Sequence, residues 1–178
     1  MRLLRSSLEI QSVYIVGLLP IHALRSAVLR FWRAKLAPRV TIYHGLQARG
    51  CGGIEIGDRT IIGDNASLDG RGGLRIGRNV NISSGVQIWT AQHDWKSRDF
   101  SYVQAPVSIG DRAWIGPNVT ILPGCTVGQG TVVAAGAVAR GTMEPFSLYG
   151  GVPAKLISRR RIDIDYDLAT PRKKLWWW

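Results

Sequence analysis

Histidine is the side chain best suited to accepting a proton near neutral pH, because its free pKa is about 6.5. The sequence contains three histidines, His22, His44 and His93. The first lies in an apolar N-terminal segment and the second in an imperfect stretch of a repeat, whereas His93 lies near the start of a polar and aromatic segment. His93 is therefore the best placed of the three to act as a general base, with a surface or loop-packing role as its alternative. Asp94 follows directly and either orients this imidazole or only caps the loop.

The other reactive side chains form no recognisable motif for metal binding or nucleotide hydrolysis. The two cysteines, Cys51 and Cys125, are too few for a disulfide framework and suit a reducing cytoplasm. Cys125 occupies a small-residue position of a repeat, which predicts a core residue. No Cys/His cluster, P-loop or catalytic paired-carboxylate motif is present. The sequence thus predicts neither a catalytic metal nor nucleotide hydrolysis.

The balance of charge points to an anionic partner. The chain carries 23 lysines and arginines against 12 acidic residues, a formal net charge of +11. Such a charge favours a phosphorylated small molecule, a lipid surface or nucleic acid. No motif of a nucleic-acid-binding module is present, so we do not expect nucleic acid as the partner. Hydrophobic residues make up 46% of the 178 positions, enough for one domain with a core.

A six-residue repeat organises residues 109–139. An aliphatic residue occupies every sixth position: Ile109, Ile115, Ile121, Val127 and Val133. Four positions after each comes a small or β-branched residue: Ala113, Val119, Cys125, Thr131 and Ala137. This period is neither that of a helix nor that of an ordinary strand. It is typical of a parallel β-helix, in which three hexads, each a short strand and a corner, make a coil of about 18 residues.

The repeat extends towards the N-terminus and is interrupted twice. Aliphatic residues recur six apart at Ile56, Ile62 and Leu68, and again at Ile76, Ile82 and Ile88. Between these groups, from Leu68 to Ile76, the spacing is eight rather than six. The segment Gly70–Gly73 therefore contains two extra residues at a corner. Residues 90–106 then lack the repeat, and three aromatic residues among them, Trp95, Phe100 and Tyr102, favour an ordered loop. We expect this excursion to be functional, as long excursions from a regular fold usually are unless they are disordered.

Residues 1–39 lie outside the repeat. The apolar run at 8–24 is interrupted by polar residues and Pro20, and it falls short of the about 20 apolar residues that cross a bilayer. It lacks a convincing cleavage site, so we do not expect an exported protein. Residues 23–36 predict a basic amphipathic helix that either caps the β-helix or lies on a membrane. Its apolar stripe consists of Leu24, Ala27, Val28, Phe31 and Trp32.

The chain accordingly divides into three parts. Residues 1–39 form the N-terminal helical segment, and residues 40–157 form the β-helix with its loop at 90–106. Residues 158–178 form a basic C-terminal tail that ends in three tryptophans. These tryptophans suit either a membrane-surface anchor or a packed end.

The repeat and two further motifs resemble the hexapeptide-repeat acyltransferases. The motifs are HDW at 93–95 and YGGVPAKLI at 149–157, and with the repeat they span about residues 54–157. The chain is similar to the galactoside and maltose O-acetyltransferases, and especially to the O-acetyltransferases of capsule, exopolysaccharide and lipopolysaccharide synthesis. The resemblance implies an all-β solenoid that is a left-handed parallel β-helix. It also implies acetyl-CoA as co-substrate and a homotrimer with its sites between neighbouring subunits.

The resemblance assigns roles to individual residues. His93 takes the place of the catalytic base. Asp69 and Trp114 fall on acceptor-binding positions, although the first is also an ordinary corner residue and the second equally suits a subunit contact. Pro117 and Ala135 fall on positions whose backbone amides hold the pantetheine arm. Pro117 is a departure, because proline has no N–H to donate.

The resemblance further implies that basic residues after the last coils meet the phosphates of CoA. Arg140 and Lys155 fall on such positions. A third falls on Ser158, which is followed by Arg159 and Arg160. Arginine binds phosphate well because of its charge and its bidentate hydrogen bonds. The alternative is that these residues only form a basic, solvent-exposed end of the β-helix.

These features together predict a cytoplasmic acetyl-CoA-dependent O-acetyltransferase that acts on a saccharide in surface polysaccharide biosynthesis. We expect it to be peripheral on the inner face of the membrane, on anionic lipid. One alternative is an N-acetyltransferase acting on an amino-sugar nucleotide, or a serine acetyltransferase, whose relatives carry a larger helical N-terminal domain. Another is a non-catalytic β-helix scaffold, against which His93 and the GVPAK motif argue.

Overall fold

The computed structural model describes residues 2–168 of the chain. Within this range, two helices come first, α1 (Arg2–Gly17) and α2 (His22–Phe31), and a 3₁₀ helix spans Cys51–Gly53. The strands are β1 (Lys35–Leu36), β2 (Thr41–Ile42), β3 (Gln47–Arg49), β4 (Ile54–Ile56), β5 (Ile61–Ile62), β6 (Ser67–Asp69), β7 (Leu74–Ile76), β8 (Asn81–Ile82), β9 (Gln87–Ile88), β10 (Ala91–His93), β11 (Tyr102–Gln104), β12 (Val107–Ile109), β13 (Trp114–Ile115), β14 (Thr120–Ile121), β15 (Thr126–Val127), β16 (Val132–Val133), β17 (Val138–Ala139), β18 (Thr142–Met143), β19 (Ser147–Gly150) and β20 (Lys155–Arg159).

The strands stack into three sheets that form the faces of a prism. The first face contains β1, β4, β7, β12, β15 and β18, and the third contains β3, β6, β9, β14 and β17. The second contains β2, β5, β8, β13, β16 and β19, with β20 antiparallel at its end. Successive strands pass from one face to the next, so the chain winds through about six coils of a parallel β-helix. This confirms the predicted solenoid. We name each edge of the prism after the faces that it joins.

The repeat predicts the core correctly. The five aliphatic positions from Ile109 to Val133 are at most 2% exposed. The small residues four positions later, which include Cys125, are at most 1% exposed. Each coil therefore directs one large apolar side chain inward from every strand and fits a small one at the corner. This continuous stack of buried aliphatic side chains holds the short strands in register.

Pairs across neighbouring strands give the length of each coil. Ile54 pairs with Leu74, 20 positions later, and Leu74 pairs with Val107, 33 positions later. Further along, Ser108 pairs with Thr126, 18 positions later. The additional residues leave the prism at the third–first edge, at Gly70–Gly73 and in a hairpin formed by β10 and β11. The inserted segments therefore lie along one edge, on successive coils.

The N-terminal helices cap the first coil. Val13 of α1 is buried, and a Cβ atom at Gly17 would lie 2.5 Å from the carbonyl oxygen of Leu46, so the end of α1 rests directly on the backbone of the coil. The indole N–H of Trp32 donates to Ser12 Oγ at 2.8 Å and joins the end of α2 to α1.

The packed side of α2 differs from the predicted apolar stripe. Its buried residues are His22, Arg25, Ser26 and Leu29, whereas Leu24 and Phe31 of the predicted stripe are exposed. His22 and Arg25 are buried because they form hydrogen bonds with the backbone of the first coil. The N–H of Ile42 donates to His22 Nε2 at 3.1 Å, and Arg25 Nε donates to the Ile42 carbonyl at 3.0 Å.

The N-terminal segment also ends earlier than the sequence suggested. Helix α2 ends at Phe31 rather than at residue 36, and Arg33 turns the chain with a left-handed φ of 72°. Lys35 already pairs with Glu55 on the first face. The first coil therefore begins before the boundary at residue 40.

After β20 the chain turns back along the first–second edge. This segment, residues 160–168, is the strap. Arg160 Nη1 donates to the carbonyl of Gly130 at 3.0 Å, and Asn79 Nδ2 donates to Asp167 at 2.8 Å. The strap therefore runs from the last coils back to the third coil. The three terminal tryptophans lie outside the described residues. Among residues 2–168, no helix has the length and apolar character needed to cross a membrane.

Candidate active site

The excursion at residues 90–106 is an ordered hairpin on the third–first edge. Strand β10 pairs with β11 in antiparallel register, so that His93 lies opposite Tyr102. The hairpin is fastened at its root, where the N–H of Ala105 donates to the carbonyl of Thr90 at 2.9 Å. The β-hairpin thus holds His93 on a fixed backbone at the surface of the third coil.

The imidazole of His93 is oriented by the backbone. Its Nδ1 atom lies 2.7 Å from the carbonyl oxygen of Phe100. A carbonyl oxygen only accepts hydrogen bonds, so Nδ1 carries the proton and Nε2 keeps a free lone pair in the neutral ring. The ring also stacks on Phe100, with centroids 4.3 Å apart, and contacts the edge of Tyr102 at 5.8 Å. The side chain is exposed, so Nε2 is available to a substrate.

Asp94 caps the loop in this arrangement. Its Oδ1 atom accepts the N–H of Lys96 at 2.9 Å, and its own N–H donates to the Ser101 carbonyl at 2.8 Å. The hydroxyl of Ser97 donates to its carbonyl at 2.8 Å. The carboxylate therefore stabilises the turn at the tip of the hairpin, while the Phe100 carbonyl holds the imidazole.

Asp69 is buried beneath the hairpin, at the end of β6. Its side chain is 1% exposed. One carboxylate oxygen accepts the N–H and Nε of Arg71, at 3.1 and 2.9 Å, and the other accepts Arg71 Nη2 at 2.9 Å and Thr90 N–H at 3.2 Å. Burial acts to raise the pKa of Asp69, but these hydrogen bonds outweigh it and the net pKa is lowered. A carboxylate has about four acceptor positions, so Asp69 has none left for a sugar hydroxyl.

Arg71 is the residue at this site that sequence reasoning missed. It lies in the Gly70–Gly73 insertion, and its guanidinium lies over the ring of Tyr102 at 5.6 Å. Asp69 thus fixes Arg71, Arg71 contacts Tyr102, and Tyr102 contacts His93. The signal available in the sequence was a charged side chain inside a glycine-rich insertion, one coil before the candidate base.

Trp114 lines a second feature, a groove at the second–third edge. The groove has a volume of about 270 Å³ and is lined chiefly by apolar atoms of Trp114, Pro117, Ala134, Ala135 and Leu148. Trp114 is 46% exposed, and its indole N–H donates to Ser83 Oγ at 3.1 Å. The groove therefore presents an apolar wall of the kind that an alkyl chain or the face of a sugar would contact.

The backbone of this groove keeps one free donor. Within residues 2–168, the N–H of Ala135 donates to no acceptor, whereas the next N–H, of Gly136, donates to the carbonyl of Pro117 at 2.9 Å. Ala135 and Pro117 are exposed. One of the two backbone positions implied for the pantetheine arm therefore offers a hydrogen bond, and Pro117 offers none.

The four basic candidates have different environments. Arg140 and Lys155 are exposed and have no acidic partner within the described residues. They flank β17, since Arg140 follows this strand and the N–H of Ala154 donates to Val138 at 2.9 Å. Arg159 pairs with Glu144 at 2.5 Å.

Arg160 differs from the other three. Its guanidinium donates to the carbonyls of Arg112 and Gly130, at 3.2 and 3.0 Å, and lies over the ring of Tyr166. It therefore fixes the strap, and its donors are directed at protein rather than at solvent.

His93 and the groove lie on different edges of one chain. His93 is at the third–first edge, while Pro117 and Ala135 are at the corners between the second and third faces. The third face separates them. One chain therefore does not by itself bring the candidate base and the apolar groove together.

The remaining candidates for reactive chemistry are inert. Burial raises the pKa of the Cys125 thiol to about 11 and also raises that of Cys51. Both are fully buried. Within the described part of the chain, no three His, Cys, Asp or Glu residues lie together as metal ligands.

Comparison with known proteins gives two matching family models. The model described as bacterial transferase hexapeptide (six repeats) matches residues 106–141. The model described as hexapeptide repeat of succinyl-transferase matches residues 53–89. The matched segments contain most of the β-helix but not the hairpin.

Relatives extend this similarity over most of the chain. The putative colanic acid biosynthesis acetyltransferase WcaF of Escherichia coli K12 is 30% identical over 135 residues, which cover 76% of this chain and 69% of WcaF. The putative lipopolysaccharide biosynthesis O-acetyl transferase WbbJ of the same organism is 36% identical over 126 residues, 64% of each chain. The crystal structure of the hexapeptide-repeat-containing acetyltransferase VCA0836 of Vibrio cholerae, in complex with acetyl-CoA, superposes with a TM-score of 0.80 at 27% identity. It covers 88% of this chain and 87% of VCA0836.

Proposed function

The chain belongs to the hexapeptide-repeat acetyltransferase family and uses acetyl-CoA, and we propose that it transfers the acetyl group to a hydroxyl group of a saccharide. The relatives WcaF and WbbJ carry names from colanic acid and lipopolysaccharide biosynthesis, which supports a building unit of a surface polysaccharide as the acceptor. WbbJ is named an O-acetyl transferase, which supports oxygen rather than nitrogen as the acceptor atom.

His93 is the proposed general base. Its Nε2 atom accepts the proton of the acceptor hydroxyl while the oxygen attacks the thioester carbonyl of acetyl-CoA. The C–S bond then breaks, and the imidazolium returns the proton to the departing thiolate. The observation that carries this role is the 2.7 Å contact between Nδ1 and the Phe100 carbonyl, which keeps Nε2 unprotonated and stabilises the imidazolium as it forms.

The apolar groove and the free basic residues are the proposed binding site for acetyl-CoA. The pantetheine arm lies against Trp114 and accepts the N–H of Ala135, and Arg140 and Lys155 bind the phosphates. Arg159 contributes only if its ion pair with Glu144 opens. Pro117 removes one backbone donor, so we propose that the arm is held by apolar contact at that point.

A homotrimer is the proposed assembly. The candidate base and the groove lie on different edges of one chain, so a complete site requires the hairpin of one subunit to meet the groove of another. Threefold symmetry repeats this contact three times and closes the ring. The family resemblance implies such a homotrimer, and this arrangement would place the exposed Trp114 against a neighbouring subunit.

Association with an anionic membrane is the proposed location, on the cytoplasmic side where acetyl-CoA is available. The outward side of the N-terminal helices and their connecting turn exposes large apolar side chains, the apolar face. It consists of Leu4, Leu8, Ile15, Leu18, Leu19, Ile21, Leu24 and Phe31, which are 38–75% exposed. On α1, Leu4, Leu8 and Ile15 lie on the side opposite Val13, which packs on the cap.

The charge around the apolar face favours lipid over a second protein chain. Residues 1–33, which include both helices, contain five arginines, of which Arg25 is buried. They contain one acidic residue, Glu9, whose carboxylate accepts the N–H of Cys51 at 2.6 Å. Each basic residue near an anionic membrane adds about 1 kcal/mol of attraction. Apolar side chains amid excess positive charge are the composition of interfacial helices.

The reaction is tested by incubating the protein with acetyl-CoA and a panel of saccharides, with release of free thiol as the readout. Mass and NMR analysis of the product then locates the acetyl group. An O-acetylated sugar supports the proposal. Exclusive acetylation of an amino sugar at nitrogen, or no transfer to any saccharide while another acceptor is acetylated, would overturn it.

A further inference from the structure

A cavity of about 470 Å³ lies between the N-terminal cap and the third–first edge of the first two coils. Arg5 of α1, Arg33 after α2 and Arg71 of the insertion line it, together with Trp32 and Glu9. The remaining lining is glycine backbone from the two corners. Three arginines from three separate segments thus converge on one concave surface that the proposed reaction does not use.

The charge of this cavity is only partly neutralised from within the protein, because Glu9 and Asp69 supply two carboxylates against three guanidinium groups. Arg5 and Arg33 are exposed, and neither has an acidic partner among the described residues. Glu9 is the acidic residue of the lining, and one of its oxygens accepts the N–H of Cys51 at 2.6 Å. Arg71 uses Nε and Nη2 on Asp69, which leaves its Nη1 without a partner among the described residues. The cavity therefore holds an excess of guanidinium donors.

The floor of the cavity depends on glycine. Gly50 has a φ of +63°, and a Cβ atom there would lie 2.8 Å from the backbone nitrogen of Arg71. Any larger residue at this position would be strained and would press on Arg71. Because this corner has no side chain at Gly50, its backbone packs closely against that of Arg71 and leaves space for a ligand beneath the arginines.

Arg71 connects this cavity to the candidate base. Its guanidinium lies 5.6 Å from the centre of the Tyr102 ring, and the ring of Tyr102 lies 5.8 Å from that of His93. The corners at Gly50–Gly53 and Gly70–Gly73 and the hairpin root lie on one edge in three successive coils. A ligand that presents a hydroxyl to His93 can therefore extend along this edge towards Arg5 and Arg33.

We propose that this cavity binds the phosphate or diphosphate group of a phosphorylated saccharide, and that the acceptor is such a saccharide. The inference rests on the proposed acetyl transfer to a saccharide and names the class of acceptor. Guanidinium groups match phosphate oxygens in charge and in bidentate geometry. The sugar lies beside Tyr102 with a hydroxyl at His93, and the phosphates lie between Arg5, Arg33 and Arg71.

Two sources supply this chemistry, a sugar nucleotide and a saccharide linked to a lipid by a diphosphate. Arg5 lies on the same helix as Leu4 and Leu8 of the apolar face. A lipid-linked diphosphate would therefore have an apolar surface next to its binding site. The shared group is the phosphate, and the acceptor assay separates the two sources.

Binding is tested with inorganic pyrophosphate by isothermal titration calorimetry, on the full chain at low salt. The double variant R5Q/R33Q removes two charges from the cavity at exposed positions. The control R75Q/R78Q removes two exposed arginine charges of the third coil, where they form ion pairs with Glu55 and Asp111. We expect the Kd for pyrophosphate to rise at least tenfold in the first variant and to stay within twofold in the control. Equal effects in both variants, or no pyrophosphate binding to the unaltered protein, would overturn the proposal.

The acceptor assay compares a sugar nucleotide, a lipid-diphosphate-linked saccharide and the corresponding unphosphorylated sugar. We expect R5Q/R33Q to raise the KM of the preferred phosphorylated acceptor at least tenfold, without changing the KM of acetyl-CoA. If the unphosphorylated sugar is acetylated with the same kcat/KM as both phosphorylated forms, the cavity proposal fails and the saccharide reaction stands. If pyrophosphate binding requires Arg5 and Arg33 but no saccharide is acetylated, the proposed function fails and the phosphate site stands.

Discussion

The Nδ1 atom of His93 lies 2.7 Å from the carbonyl oxygen of Phe100, and the rings of these two residues stack with centroids 4.3 Å apart. Phe100 adopts a left-handed φ of 52°, which is uncommon for an aromatic residue. The turn of the hairpin therefore brings both the carbonyl and the ring of Phe100 to the imidazole. The tautomer of His93 is set by the backbone of the loop, and no carboxylate is needed for it.

Replacing His93 with alanine should lower kcat by about 10²–10⁴, the usual contribution of a general base. The affinity for acetyl-CoA should remain within about twofold, because the imidazole acts on the acceptor hydroxyl while the apolar groove and the free basic residues hold CoA. Steady-state thiol release gives kcat, and calorimetry with CoA gives the affinity. Near-normal turnover would show that the base is another group.

Asp94→Asn should leave kcat within about threefold of the unaltered enzyme. An asparagine oxygen can still accept the N–H of Lys96 and so keep the turn, and the imidazole depends on Phe100 instead. The pH profile of kcat should likewise keep its position. A loss comparable to that of His93→Ala would mean that the carboxylate orients or charges the imidazole during the reaction.

The double variant R140Q/K155Q should raise the KM of acetyl-CoA several-fold with little change in kcat. Both side chains are exposed and lack acidic partners among the described residues, so they are available to phosphate. The effect should shrink as salt rises, because exposed charges are screened beyond about 8 Å at physiological ionic strength. An unchanged KM at low salt would assign these residues to a solvated basic surface.

Arg160→Ala provides the contrast to that variant. Its guanidinium binds two backbone carbonyls and the ring of Tyr166, so its loss should lower the melting temperature rather than affinity for acetyl-CoA. Differential scanning calorimetry and the KM of acetyl-CoA measure the two effects on the same sample. A raised KM with unchanged melting temperature would return Arg160 to the CoA site.

The sequence predicts the interior of this fold better than its ends. From Ile109 to Val133 the period of six maps directly onto buried positions, since each coil turns the same place of the hexad inward. The period carries no information about α2, whose packed side contains His22 and Arg25. These polar side chains are buried because they form hydrogen bonds with the backbone of the first coil. The pattern of apolar residues along the helix cannot predict such a polar contact.

In the candidate site, too, the sequence predicts some residues and misses others. His93 stands out because it lies near the start of the segment that breaks the repeat, residues 90–106. Arg71 does not, because its role depends on Tyr102, which lies in a different insertion and reaches it only when the two coils stack. Asp69 matches an acceptor-binding position by resemblance, yet its carboxylate is fully occupied by Arg71 and Thr90. Such three-dimensional pairings between insertions leave no periodic trace in the sequence.

Mixed trimers should recover activity from two inactive variants. His93→Ala removes the base, and Ala135→Glu fills the apolar groove with a charged side chain, so each alone should be inactive. If the hairpin of one subunit meets the groove of its neighbour, about a quarter of the sites in a random mixture contain both intact parts. Co-expression followed by thiol-release assay measures this recovery. Light scattering should give three times the 19.6 kDa mass of one chain.

A mixture without activity would mean that the base and the groove of one chain act together. A monomeric mass at micromolar concentration would exclude the shared site directly. The control is co-expression of His93→Ala with itself, which should remain inactive at the same protein concentration.

Binding to anionic vesicles should depend on the apolar face of the N-terminal helices. Deleting residues 1–39 is unsuitable as a test, because it removes β1 and the buried side chains of Val13 and Leu29 along with the exposed ones. The double variant L8Q/I15Q changes two side chains that are 59% and 60% exposed and leaves the packed side of α1 intact. We expect it to reduce co-sedimentation with phosphatidylserine-containing vesicles at least tenfold.

The matched control is I157Q/I162Q, which alters two apolar side chains that are 62% and 78% exposed outside the N-terminal cap. It should bind vesicles as the unaltered protein does, because these residues lie outside the apolar face. Binding should require anionic lipid and weaken as salt rises, since the surrounding arginines act through screened charge. If both double variants sediment equally well, the helices serve only as a cap. If the unaltered protein does not co-sediment with anionic vesicles, we expect the acceptor to be a soluble molecule.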